Sequence, residues 1–319
     1  MKTIPSISSQ INEEEIYKVI DKHFSRLAPY YYRWINSWLI GAYEHFSDID
    51  KYIILIYIIN KDFIFFRKNG LIVNYDSFYK DKTLEVDKIS ISDISKDLQI
   101  PKESVRRKVE ELERAGVIKK KGKKIFVDRT GFTTVQAKTT LRNISTLLYE
   151  FNKILKEENI VKKAYQTIEI SDSIKINFSF VWYQFYKLLF IFTNRWRKEF
   201  GDLETFTIGI IVLVSAADNK NFRVKEFNKK KYQVSIQGSD NIGVNAMSLA
   251  EITGIPRATV IRKLKILIKG NILQINKKKL ITVNMTGQSL KMARKLQDQN
   301  ILSLSNFISR VFNQIKVIN

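Results

Sequence analysis

The chain has no cysteine among its 319 residues, and only two histidines and four prolines. Without cysteine there is no disulfide framework, no thiolate metal site and no cysteine nucleophile. His23 and His45 stand in separate segments without metal-ligand spacing around them, and read as packing or surface residues. Acidic residues are scarce too: 32 Asp and Glu face 54 Lys and Arg, giving a formal charge of +22 and a pI near 9.8. That imbalance points to a polyanionic partner.

Long hydrophobic runs are also missing. Tyr52 to Ile59, Phe178 to Phe192 and Phe206 to Ala217 all fall short of the roughly 18 residues that a membrane span needs. They read as buried core helices. Met1 to Asn12 holds one lysine and no apolar stretch, so no secretory signal and no membrane partner are expected. The protein reads as cytoplasmic and nucleoid-associated. No glycine-rich phosphate loop, metal-ligand cluster or nucleophile–base pairing is evident, so neither an enzyme, a cofactor nor a bound metal is expected.

What the chain does contain is a repetition. Ile100-Pro101-Lys102-Glu103-Ser104-Val105-Arg106-Arg107-Lys108-Val109 reappears as Ile255-Pro256-Arg257-Ala258-Thr259-Val260-Ile261-Arg262-Lys263-Leu264. Two of the four prolines fall at this point. Each copy opens a helix with a polar, basic first turn and an apolar stripe: Val105, Val109 and Leu112, then Val260, Leu264 and Leu267.

Further pairs recur at about the same separation. Phe24-Ser25 matches Phe178-Ser179, Tyr32-Arg33 matches Tyr186-Lys187, and Thr130-Gly131 matches Thr286-Gly287. The pattern predicts two copies of one unit, residues 1–158 and 159–319. Each unit should begin with an aromatic-rich helix, Pro29 to Phe46 and Phe180 to Phe200. An apolar helix capped by aspartate follows, Asp48 to Asn60 and Asp202 to Ala216. Next is an insertion. In the first unit it reads as a hairpin, with Phe63 to Arg67 and Leu71 to Tyr75 flanking a type I′ turn at Asn69-Gly70. Its counterpart, Asn221 to Asp240, has no such turn signal. Thr133 to Leu155 and Ser289 to Ile315 should close the units, with an ordered connection over Glu157 to Asp172.

Between these lie two helix-turn-helix segments, about 89–116 and 244–271. Their inner faces are predicted to be Ile94, Leu98, Ile100, Val105, Val109 and Leu112, and Leu249, Ile252, Ile255, Val260, Leu264 and Leu267. Ala115-Gly116 and Gly270-Asn271 suit the left-handed stop after each second helix. A basic hairpin follows in both, about 117–128 and 272–283, with lysine-rich tips that suit phosphates or the minor groove.

This arrangement resembles winged helix-turn-helix transcription regulators, and the order of the flanking helices is similar to the MarR type. The resemblance implies a mainly α fold with small β-wings, long flanking helices packed together and an internal pseudo-twofold axis. It implies double-stranded DNA as the partner and a monomer that acts as a covalent pseudo-dimer; any small-molecule effector stays unspecified. The DNA-binding set is Lys102, Ser104, Arg106, Arg107, Lys121, Lys123, Lys124, Arg257, Thr259, Ile261, Arg262, Lys277, Lys278 and Lys279. Arg106 opposite Ile261 predicts an imperfect palindrome: arginine takes guanine O6 and N7, whereas isoleucine meets only a thymine methyl. The chain departs from the MarR pattern in carrying two units and an insertion before each helix-turn-helix. The alternative is a plasmid-type replication initiator with two winged-helix domains. The aromatic residues of the long helices, Trp34, Trp38, Phe185 and Trp196 among them, are read as inter-helix core.

Overall fold

The computed structural model describes residues 10–87, 89–128, 137–217, 227–237, 243–284 and 286–318. The sequence readings at residues 1–9, at Thr130-Gly131, at Thr133 and over much of Asn221 to Asp240 lie outside the described residues. Within them the protein is mainly helical, with two small antiparallel sheets.

The chain begins with α1 (Glu13–Lys22), α2 (Phe24–Phe46) and α3 (Ile49–Lys68). The next elements are α4 (Tyr75–Tyr79), β1 (Thr83–Asp87), α5 (Ile91–Leu98) and α6 (Lys102–Arg114). Strands β2 (Ile118–Lys121) and β3 (Lys124–Asp128) lead to α7 (Ala137–Glu157). Then come α8 (Thr167–Ile176), α9 (Phe178–Phe200), α10 (Leu203–Ala217) and α11 (Lys229–Gln237). The chain finishes with α12 (Ala246–Thr253), α13 (Arg257–Lys269), β4 (Leu273–Ile275), β5 (Ile281–Val283) and α14 (Gly287–Ile318).

The helix starts recur at a fixed offset. Glu13, Phe24 and Ile49 open α1, α2 and α3, and Thr167, Phe178 and Leu203 open α8, α9 and α10 with the same spacing between them. Ile91 and Lys102, which open α5 and α6, stand in the same relation to Ala246 and Arg257, shifted by a single position. Even the break between the first two helices repeats, with His23 at φ −104°, ψ 31° and Asn177 at φ −101°, ψ 31°.

The two stretches share one hydrophobic core. Between Tyr52 and Ile59 helix α3 is apolar on every side, as a stretch in the middle of a core must be. Its Ile53, Ile54, Leu55 and Ile58 are fully buried. It packs on α2 of its own half and on α9 of the other; α10 likewise packs on α9 and on α2. At the periphery α1 lies against α14, and α8 against α7. Aromatic rings fill the crossing: Trp34 on α2 meets Phe185 on α9 at 5.6 Å and stacks on Phe307 of α14 at 6.2 Å.

Paired backbone stitches fix the crossing. Ser25 N donates to Phe227 O (3.1 Å), and Phe227 N donates to Ser25 Oγ (2.8 Å). Ser179 N donates to Val73 O (3.0 Å), and Val73 N donates to Ser179 Oγ (2.9 Å). These bonds hold the first turns of α2 and α9, which explains why both helices begin upstream of the sequence expectation. Helix α2 runs through Pro29 instead of starting there.

The hairpin expected at Phe63 to Tyr75 is absent. Phe63 to Arg67 continue α3 to Lys68, and Tyr75 begins α4. Asn69-Gly70 is a helix stop: Gly70 sits at φ +64°, Gly70 N donates to Arg67 O and Leu71 N to Phe66 O. A glycine in the left-handed region serves a helix end as readily as a turn. Burial of Phe63 against Phe78 and Phe178 favours the longer helix. The Glu157 to Asp172 connection is in part helical, because α8 begins at Thr167.

Candidate nucleic-acid interface

Two pairs of short helices, α5–α6 and α12–α13, lie within the segments 89–116 and 244–271. Ser90 caps α5 by accepting from Asp93 N (2.9 Å), and Asn245 caps α12 by accepting from Ser248 N (2.8 Å). Pro101 and Pro256 stand one position before α6 and α13, at φ −53° and −52°, where neither disturbs a helical hydrogen bond. Helix α6 stops at Gly116, φ +74°. In the second copy the left-handed residue is Asn271 (φ +53°), while Gly270 stays at φ −79°.

The expected stripe of the first copy is buried throughout, from Ile94 to Leu112. In the second, Ile252 is 44% exposed and is not a core residue. The core position belongs to Thr253, which is fully buried and donates its hydroxyl to Leu249 O (2.6 Å). Thr253 is the counterpart of Leu98, since each ends the first helix of its pair, so the isoleucine is one position out of register.

The inner anchor of each second helix is a lysine absent from the expected set. Lys108 Nζ donates to the carboxylate of Asp48, the residue that caps α3. Lys263 Nζ donates to that of Asp202, which accepts from Thr205 N at the start of α10. The sequence signal was available: in both copies a lysine adjoins the apolar stripe at nearly the same distance after a capping aspartate. A lysine beside such a stripe reads as solvated until its aspartate is placed in space.

With Lys108 and Lys263 held inward, the opposite faces point to solvent. Lys102, Arg106, Arg107, Arg257 and Arg262 are exposed, Ile261 is 38% exposed, and Ser104 and Thr259 are half-buried.

The hairpins form as expected, with one addition. Strand β1, not anticipated, joins β3 to give the order β1-β3-β2, and Leu84 and Ile118 flank Val127 from either side. Its counterpart in the second copy is a single bridge, Val244 to Ile281. The first tip turns at Gly122 (φ +58°) and exposes Lys121 and Lys123. Lys124 instead lies 2.9 Å from Asp87 and 3.1 Å from Glu85 on β1, and those carboxylates raise its pKa. In the second tip Asn276 Oδ1 accepts from Lys278 N (3.0 Å) and Leu280 N (2.9 Å), leaving Lys277, Lys278 and Lys279 exposed.

The two halves meet near the starts of α3 and α10. Glu204 accepts from Ile49 N (3.2 Å), and burial raises its pKa. Arg197 on α9 donates to Asp50 (2.6 Å) and to Leu98 O (2.8 Å), tying the end of α5 to the opposite half. Sequence reading missed both residues.

Beside the second head lies an apolar cavity of about 120 Å³ between α2, α9, α10 and α14. Tyr31 Oη and Trp196 Nε1, both without a hydrogen-bond partner among the described residues, belong to side chains that line it. Among the described residues no cluster of His, Asp and Glu could hold a metal, and no helix is long and apolar enough to cross a membrane. No family model, curated protein or solved structure matches this chain.

Proposed function

We propose that the protein is a sequence-specific double-stranded DNA-binding transcription regulator. In this reading one polypeptide carries two winged-helix units related by an internal duplication and a pseudo-twofold axis, and it works as a covalent pseudo-dimer. Helices α6 and α13 enter successive major grooves, about one turn or roughly 34 Å apart. The lysine tips lie on the backbone or in the minor groove, and the protein has no catalytic role.

One observation carries the reading. The two second helices are fixed from behind by the same device, Lys108 on Asp48 and Lys263 on Asp202, and turn Arg107 and Arg262 outward. The exposed basic face of each helix lies opposite its apolar stripe, where it is free to meet phosphates. The reciprocal stitches Ser25–Phe227 and Ser179–Val73 support the twofold relation. Ser179 stands to Ser25 as Phe227 stands to Val73, so equivalent partners exchange halves.

Selection of bound duplexes from a random pool tests the proposal. A single site with two related halves supports a regulator. Iterated direct repeats would favour a replication initiator, and no enrichment would end the DNA reading.

A further inference from the structure

The recognition helices carry equal numbers of cations but unequal numbers of anions. Helix α6 has five Lys and Arg against Glu103, Glu110, Glu111 and Glu113, a net charge of +1. Helix α13 has five Lys and Arg and no Asp or Glu, a net charge of +5. With Lys102 aligned on Arg257, the four glutamates become Ala258, Lys265, Ile266 and Ile268.

The geometry follows the composition. Glu103 lies 3.3 Å from Arg106, and Glu111 lies 3.7 Å from Arg107 while also pairing with Lys51 of α3 at 3.1 Å. Glu113 holds Lys120 of the wing at 2.9 Å, while Glu85 and Asp87 hold Lys124. In the second head Arg257, Arg262 and Lys277 to Lys279 form no ion pair with any described residue, and Ile266 is 52% exposed where Glu111 stood.

We propose that the heads divide their work: the second chiefly anchors the chain on the duplex, and the first supplies most of the discrimination. This rests on the DNA-binding reading above. An arginine without a counter-charge releases condensed cations at each phosphate it neutralises, whatever the sequence. An arginine already beside a carboxylate gains less, because that carboxylate must then approach the same polyanion. Guanine alters the balance by offering O6 and N7 to both arms of the guanidinium. Glu103, in the first turn of α6, can itself accept from the N4 amine of cytosine. The glutamates thus reject most sequences and tolerate few, which is specificity through repulsion.

The test uses the full chain, a duplex obtained by selection and a scrambled duplex, titrated between about 50 and 200 mM salt. Replacing Arg257→Ala and Arg262→Ala together should lower the log–log salt slope by about 2 on both duplexes. The pair Arg257→Lys and Arg262→Lys should keep it. Replacing Arg106→Ala and Arg107→Ala should lower the slope by less than about 1 and remove most of the preference between duplexes. Glu103→Gln with Glu111→Gln should tighten scrambled-duplex binding several-fold. Equal slopes for the two alanine pairs, or glutamine variants that bind scrambled DNA like the parent, would overturn the division while leaving the DNA reading intact. A parent protein that binds neither duplex would overturn both.

Discussion

Lys108 on α6 donates to one oxygen of Asp48, while the other oxygen accepts from Lys51 N and caps α3. A single carboxylate therefore caps the start of α3 and ties α6 to it. Asp48→Ala removes the cap and leaves a nearly buried ammonium unpaired, so it should destabilise the fold by about 3–5 kcal/mol. Lys108→Met leaves Asp48 partly solvated and its cap intact, and should cost only about 1–2 kcal/mol. Urea midpoints at constant m-value measure both.

Two glycines make opposite predictions. A Cβ on Gly209, inside α10, would meet Leu267 Cδ1 at 3.6 Å, an ordinary contact. Gly209→Ala should therefore raise stability by about 0.5–1 kcal/mol through helix propensity. A Cβ on Gly243 would lie 2.5 Å from Leu280 Cβ and 2.9 Å from Ile281 O. Gly243→Ala must push the Val244–Ile281 bridge apart and lower the melting temperature.

Glu204 gives a pH dependence of definite sign. Burial, then the nearby Asp50 and Asp48, raise its folded pKa above the ordinary 4.5. Its ionised form therefore weakens the fold at neutral pH, and the penalty vanishes as pH falls through the raised value and below the unfolded one. Glu204→Gln keeps an acceptor for Ile49 N and should melt higher than the parent at pH 7. The gain should shrink toward nothing below about pH 4.5. A gain that ignores pH would contradict this.

Arg106 and Ile261 occupy matching exposed positions. Arg106→Ile should replace a guanine preference by a thymine preference at one half-site, with a discrimination of about 1–3 kcal/mol. Ile261→Arg should do the reverse at the other. Competition with single-base variants reads out both changes.

The helix-turn-helix segments were legible because three local signals agreed: an apolar stripe, a proline before each second helix, and a left-handed residue after it. Misreadings came where one signal served two structures. Asn69-Gly70 suits a hairpin turn and a helix end equally, and only the burial of Phe63 decides between them. Ile252 took the core position because apolarity outranked register, although Thr253 hides its hydroxyl in a bond to Leu249 O. Strand β1 was too short to stand out, and its partner β3 lies beyond the whole helix-turn-helix in the chain. Arg197 and Glu204 act across the two halves, so no local pattern could reveal them.

The most direct measurement is the stoichiometry and footprint of the parent protein on a selected duplex. One chain per duplex, protecting about two helical turns and losing about tenfold or more in affinity when the duplex is cut back to either half-site alone, is the expected result. Two chains per site, a footprint of one turn, or full affinity for an isolated half-site would contradict a single chain that reads both halves.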